Sequence, residues 1–413
     1  MTNENQGALS HIKVLDLSRV LAGPWCTQML ADLGADVIKV ERPVVGDDTR
    51  HWGPPFLQDA DGNNTEQASY YAACNRNKRS ITIDMARPEG QALIRKLALQ
   101  SDILVENFKV GGLVQYGLDY ATLKQLNPRL IYCSITGFGQ DGPYAERAGY
   151  DLMIQAMTGL MSITGQAEAP PTRVGVAVVD VFTGVYATSA ILAALEVRHR
   201  TGLGQSIDMA LLDVGMAVLA NQSAGFLNTG QVPLRQGNSH PSLVPYQDFE
   251  TLDGAMLLAI GNDGQFARFC AVAGHAEWAQ DARFATNTAR VRNRRELVEH
   301  MQAVTRTRST AQWITALEDK AVPCGPINTL DQAFADAQVQ HRGLKVTQSV
   351  SPAAQAQTGV AAIASVASPL RLGSNPPVQR NAPPMLGEHT CEVLAELGLD
   401  AAQIKGLQAA QVV

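Results

Sequence analysis

The stretch from Val174 to Asp213, VGVAVVDVFTGVYATSAILAALEVRHRTGLGQSIDMALLD, constrains the fold more than any other part of the chain. Its apolar run Val174–Val179 reads as a buried strand that stops at one carboxylate, Asp180. The residues from Val181 to Leu195 carry no charge and read as a helix buried on most sides. Arg198, His199 and Arg200 suit a helix C-terminus, and Gly202 suits its stop. Asp180 therefore falls between a core strand and a core helix. These residues leave two roles open for it: an N-cap, or a nucleophile or acid–base group. In the second role the helix dipole and free N–H groups would keep the carboxylate ionised in an apolar place.

At 413 residues the chain exceeds one small core, so two domains are expected. Hydrophobic content of 46% with 17% charge describes a globular protein. No apolar run approaches the ~20 residues of a membrane helix, and no membrane association is expected. The opening MTNENQGALS is polar and lacks the basic and apolar regions of a secretory leader. A net charge of −6 argues against bulk nucleic-acid binding. The six cysteines (26, 74, 133, 270, 324 and 391) are scattered, supporting neither a metal site nor a disulfide framework. A cytoplasmic enzyme fits this profile.

His11–Ser18, a turn over Arg19–Pro24, a helix Trp25–Leu33 and a strand Asp36–Val40 open a doubly wound α/β domain. The turn is VLAGP, so the GxGxxG dinucleotide fingerprint is absent. Arg42 leaves the second strand where a Rossmann protein binds ribose, and a cation there suits a phosphate. Val44–Glu66 reads as a long loop. Lys78 and Arg79 belong to a basic cluster, Asn75–Ser80, ahead of the strand-like Ile81–Ile83; such a cluster is a solvated turn or a phosphate grip. Asp102–Glu106 is a strand with Asn107 and Phe108 at its C-terminal end, and Leu130–Ile135 is another. After Ala224 the texture changes to a smaller α+β region, with a strand at Met256–Ile260 and a compact turn, Gly261-Asn262-Asp263-Gly264-Gln265, opening a helix.

Taken together, VLAGPWCTQMLADLGADVIKVERP, NRNKRSI, VENF, GFGQDGP, GVAVVDVFTG and PPMLGEHT resemble the class III CoA-transferase family, which includes formyl-CoA and carnitine CoA-transferases. The resemblance implies that Asp180 is the aspartate that attacks an acyl-CoA thioester. An aspartyl anhydride would form, then an aspartyl-CoA thioester, and CoA would end on an acceptor acid. It also implies contacts to CoA phosphates from Arg42, Lys78 and Arg79, and to nucleotide or pantetheine from Asn107 and Phe108. Gly261–Gln265 is similar to the family's mobile loop over the active site. Tyr150, His240 and Phe138 resemble acceptor-pocket positions. Coenzyme A thioester enters as substrate, with no permanently bound cofactor and no metal.

The fold implied is a large Rossmann-like domain from residues 1–224, a small α+β domain from 225–330, and a segment 331–413 returning to the large domain. Two ring-shaped subunits would interlock as a homodimer. GYDLMIQAMTGLMSITG, GNSHPSLVPYQ and VPCGPINTL are most similar to the branch using succinyl-CoA with glutarate or related dicarboxylic acids. A distal carboxylate would want a cation, with Arg19, Arg147, Arg173 and Arg235 as candidates. Leu21, Thr136 and Phe138 stand where formyl-CoA transferase has glutamine, lysine and tyrosine, so an oxalate- and formate-specific pocket is not expected. The same fold hosts α-methylacyl-CoA racemases, which use a histidine in a Gly-His-Asp triplet. Here the triplet is Gly149-Tyr150-Asp151, and a phenol with a pKa near ~10 is a poor base.

Overall fold

The alternation of short apolar strands with helices forms a parallel six-stranded sheet. Its strands are β1 (Lys13–Asp16), β2 (Asp36–Glu41), β3 (Lys78–Thr82), β4 (Ile103–Glu106), β5 (Ile131–Thr136) and β6 (Ser206–Ala210). They lie in the order β3-β2-β1-β4-β5-β6, with Val14 paired to both Val37 and Ile103. Helices cover both faces, which is why β4 and β5 are buried at every residue. The chain winds outward to β3 and then returns to β4. The β1–β4 junction is therefore the topological switch point, where open α/β sheets place their ligands.

A computed structural model describes residues 7–413; most of the polar opening segment lies outside the described residues. The chain divides into two units. The larger runs to Thr158 and adds Gly175–Ser223 and Ala337–Val413, while the second holds Gly159–Val174 and Ala224–Asp336. The assignment of Gly159–Val174 to the second unit differs from the division expected at residue 224. Backbone hydrogen bonds within that unit hold it: Thr172 N–H donates to Thr164 O, and Gly237 N–H donates to Gly165 O.

In the large unit, α1 (Ala22–Asp32), α2 (Pro88–Gln100), α3 (Tyr120–Leu126), α4 (Asp151–Met157) and α5 (Val178–Thr201) flank the sheet. Pro88 starts α2, whose Leu93, Ile94, Leu97 and Ala98 pack into the core with Val393 and Leu394 of the returning C-terminal segment. That segment docks along β3, where Thr82 N–H donates to Thr390 Oγ1 at 3.1 Å. α5 stops at Gly202, whose φ of +78° is the left-handed cap conformation. It lies against α1 so closely that a Cβ on Gly184 would come within 2.8 Å of Ala22 O.

Two expectations about this region are corrected. Val174–Val179 is not a strand: Val178 and Val179 already form the first turn of α5, Val176 is 61% exposed, and β6 takes the place beside β5. An apolar run alone does not distinguish a strand from a helix start. Nor is α5 buried on most sides. Val179, Thr183, Ala187 and Ile191 face the core, whereas Phe182, Tyr186 and Leu192 are exposed. By length and a mean hydropathy of 1.8, α5 is also the one helix among the described residues long and apolar enough to cross a membrane, contrary to the reading of short apolar runs. A helix packed on a sheet passes the same test.

The second unit is α+β. Strands β7 (Tyr246–Glu250), β8 (Ala255–Ala259) and β9 (Cys324–Pro326) form an antiparallel sheet in the order β9-β8-β7. Phe249, Met256, Leu258, Phe266, Phe269, Leu297 and Trp313 make its core. The Trp313 indole N–H donates to Thr305 O at 2.7 Å, satisfying the polar tip of a fully buried ring.

Candidate active site

A cleft of about 580 Å³ opens at the C-terminal ends of the parallel strands. The turn after β1, Arg42 after β2, Asn107 and Phe108 after β4, and Thr136 and Gly137 after β5 line it, with Tyr150 and Asp180 from the starts of α4 and α5. In the VLAGP turn, Val20 adopts φ +72°, a costly conformation for a β-branched residue. Neighbours hold it there. Asn107 exchanges two hydrogen bonds with the Arg19 backbone, at 2.8 and 2.7 Å, and Asp47 accepts the Val20 N–H at 3.3 Å.

The β1–β2 side of the cleft rests on buried ion pairs. Lys39 meets Asp47 at 2.9 Å, Lys78 meets Asp16 at 3.1 Å, and Arg50 meets Glu41 at 2.7 Å. Burial would raise Asp47, but Lys39 and the Thr49 N–H outweigh it and hold the carboxyl down at about 2. Above this floor stand cations. Arg19 and Arg42 share Asp48, at 2.6 and 3.5 Å, and Arg42 stays 55% exposed. Lys109 and Arg147 also line the cleft, with no ion-pair partner among the described residues. Arg147 lies over Tyr144, 4.4 Å from the ring centroid, and 5.4 Å from that of Phe138.

Asp180 is the third residue of α5, half-buried, with its carboxylate in the cleft and no hydrogen bond or ion pair among the described residues. Asp151, on α4, takes the N–H groups of Val179 and Asp180 instead, at 2.8 and 3.2 Å. Burial first, and then the neighbouring Asp151, push the Asp180 carboxyl up to about 7. This reverses the expectation that the helix start holds Asp180 ionised, because the N–H groups meant for it are occupied. A carboxylate left basic and facing a cleft is suited to nucleophilic attack.

A family model described as CoA-transferase family III matches residues 9–390. The chain belongs to this family. A succinate–glutarate CoA-transferase of Agrobacterium fabrum is 53% identical over 389 residues, covering 94% of this chain and 95% of that protein. The human succinyl-CoA:glutarate CoA-transferase is 42% identical, covering 94% of this chain and 86% of its own. Among solved structures, a CAIB/BAIF family protein from Brucella suis superposes with a TM-score of 0.83 at 48% identity, covering 96% of this chain and all of that one. The protein is therefore an enzyme that transfers CoA.

In this transferase some expected contacts are not where the resemblance implied. Lys78 is fully buried, and its ammonium is committed to Asp16, Asn75 Oδ1 and Pro24 O. Arg79 pairs with Asp36, Glu392 and Glu396, pinning the helix Thr390–Glu396 to the sheet. Neither lines the cleft, because both sit within β3 and not beyond its C-terminal end. Asn107 lines the cleft but uses its amide on the Arg19 turn, and Phe138 is 8% exposed, supporting Arg147. Arg42, Phe108 and Tyr150 do line the cleft, Tyr150 at 65% exposure.

The remaining expected residues belong to the second unit. In the Gly261–Gln265 turn, Asn262 caps α6 (Asp263–Ala273), accepting the Gln265 N–H at 2.9 Å. The Gly261 N–H is already bound to Gln265 Oε1 at 2.7 Å, and Asp263 pairs with the buried Arg290. Gly264 is in the first turn of α6. His240 Nδ1 accepts the Ser242 N–H at 3.0 Å. Sequence reasoning did not assign a site role to Lys109, Asp151 or Tyr70. Lys109 directly follows the quoted VENF, so adjacency to that motif was an available signal. Tyr70 is raised to about 12, by burial first and then by the charge of Asp180. Nothing local marks a tyrosine after a polar loop as a neighbour of that aspartate.

Proposed function

We propose that this transferase moves CoA from succinyl-CoA to glutarate or a related dicarboxylate, with Asp180 as the covalent relay. The observation that carries the reading is the unpaired Asp180 carboxylate, raised to about 7 in a cleft of CoA-transferase architecture. The names of the similar transferases support the substrate pair. Asp180 attacks the thioester carbonyl, the C–S bond breaks, and CoA thiolate leaves behind a mixed anhydride. The thiolate attacks the aspartyl carbonyl, giving the enzyme thioester and releasing succinate. The acceptor carboxylate attacks that thioester, and the thiolate then attacks the acceptor acyl group and frees Asp180. Each step exchanges one activated acyl bond for another, and exclusion of water protects the intermediates.

The cleft cations divide by chemistry. Arg42 and Lys109 suit CoA phosphates, and Arg147 or Arg19 suits the distal carboxylate of a dicarboxylic acid. No resident cofactor takes part, and a substrate drawn from the intracellular CoA pool supports a cytoplasmic location. The exposed Phe182, Tyr186 and Leu192 on α5 support a homodimer contact in this region, and the interlocked arrangement rests on the family resemblance. Native mass spectrometry reads the dimer directly, and interlocking predicts no subunit exchange without unfolding.

The deciding experiment is intact-mass analysis after incubation with succinyl-CoA, with borohydride or hydroxylamine treatment, on wild type and Asp180→Ala. A modification mapped to Asp180 and missing from the variant is expected. Its absence with every acyl-CoA, together with deuterium uptake at an acyl α-carbon, would overturn the transfer mechanism in favour of isomerisation.

A further inference from the structure

The geometry points to Asp151 as a positioning residue for Asp180: its carboxylate occupies the N–H groups at the start of α5, so the Asp180 carboxylate stays unpaired and faces the cleft. The inference rests on the relay role proposed for Asp180.

The first turn of α5 has no cap of its own. Ala177 stands at the N-cap position and offers no side-chain acceptor. Every N–H there is nevertheless used. Val178 donates to Val176 O at 2.8 Å, Val179 and Asp180 donate to Asp151 Oδ1, and Val181 donates to Ala177 O at 3.1 Å. The other oxygen, Asp151 Oδ2, accepts from Gln155 Nε2 at 2.6 Å, one turn further along α4. Three N–H donors thus converge on one carboxylate that is 7% exposed, an arrangement an acceptor-only group satisfies.

Two glycines bring α4 to this place. The loop after β5 crosses the segment before α4 so tightly that a Cβ on Gly149 would lie 2.3 Å from Gly137 Cα. The two residues that follow, Tyr150 and Asp151, are thereby delivered to the start of α5.

The consequence is electrostatic as well as geometric. Acylation removes the negative charge from Asp180, and the charge leaves with the thiolate. A fixed carboxylate nearby therefore opposes the ionised ground state more than the acylated product, which favours attack. Few other groups compete with Asp151. The start of α1 offers only the Cys26 thiol, pushed up to about 12 by burial. Tyr70 is held neutral at working pH, and Asp213, on the helix Leu211–Ala217, is exposed. Arg147 is the cation of the cleft lining nearest in sequence, and its guanidinium rests against the Tyr144 and Phe138 rings.

Asp151→Asn tests this, since an amide oxygen can still accept the two helix N–H groups while the charge is gone. Two readouts are made on wild type and variant. One is ¹³C-carboxyl NMR titration of the unliganded protein, with Asp180→Asn identifying the signal. The other is the rate of Asp180 labelling by succinyl-CoA against pH. The expected result is a fall in the Asp180 midpoint of about one pH unit. Labelling above the midpoint should slow about tenfold, with KM for the acyl-CoA little changed. Asp151→Ala, which also frees the N–H groups, should lower the midpoint further. An unchanged midpoint in both folded variants, Asp151→Asn and Asp151→Ala, overturns the inference, including the case of a uniform loss of rate at every pH. A midpoint that falls while neither protein is labelled by any acyl-CoA upholds the positioning role and overturns the relay reading instead.

Discussion

Asp47 and Asp180 line the same cleft, and the fold treats the two carboxylates in opposite ways. Asp47 belongs to the buried ion pairs on the β1–β2 side. It is 1% exposed, meets Lys39 at 2.9 Å, accepts from Thr49 and Val20, and is held down at about 2. Asp180 has no such partner and is pushed up to about 7. The difference separates architecture from chemistry. A buried charge with its acceptors filled fixes a turn, in this case the strained Val20, while a basic carboxylate with none is available to react.

The largest effect expected is at Asp180, the nucleophile proposed above. Asp180→Asn should lower CoA transfer on the order of 10³-fold or more, read by product formation from succinyl-CoA. Retention of more than a tenth of the activity would remove Asp180 from the chemistry. Among the buried ion pairs, Lys78→Ala should cost about 3–5 kcal/mol in denaturant unfolding, because it strands Asp16 without its cation. If Lys78 were instead a phosphate contact, stability would hold and only KM for the acyl-CoA would rise. Gly149→Ala should cost about 1–3 kcal/mol, since the added carbon meets Gly137 at 2.3 Å.

Titration sharpens the contrast further. With Asp180 needed as a carboxylate, kcat/KM should fall about tenfold per pH unit below about 7 and be level above it. Stability runs the opposite way for this residue. Because its folded pKa is raised, wild type loses stability relative to Asp180→Asn as pH rises from about 4 to about 7, by on the order of 1–3 kcal/mol. Asp47, with its pKa lowered, stabilises above about 4, and that contribution is lost as pH falls towards about 2. Thermal melts of wild type, Asp180→Asn and Asp47→Asn across this range would separate the two. The smallest effect expected is at the exposed Arg42, where Ala should raise KM for acyl-CoA several-fold, about 1 kcal/mol, with no change in melting temperature.

Much of the large unit was legible in the chain. The strands at Asp36–Glu41, Ile103–Glu106 and Ile131–Thr136, and the helix stop at Gly202, follow from local apolar patterning and turn residues. Scattered motifs in order were enough to indicate the family. What failed has one common cause. The run Val174–Val179 carries no periodicity, so whether it extends a sheet or starts a helix depended on β6, which claims the sheet position from further along the chain. Lys78 and Arg79 read as a solvated or phosphate-binding cluster because their partners are remote: Asp16 lies 62 positions away, and Glu392 lies 313.

Local patterning thus settles where strands and helices run, since a residue's backbone preference and its repeat along the chain are properties of neighbours in sequence. Exposure, charge pairing and basicity are properties of neighbours in space. That is why the chain alone could name Asp180 as a carboxylate at a helix start but assigned it the wrong electrostatics. The crossing of Gly137 and Gly149 brings Asp151 to the N–H groups of that helix, and this tertiary contact decides that Asp180 is left unpaired.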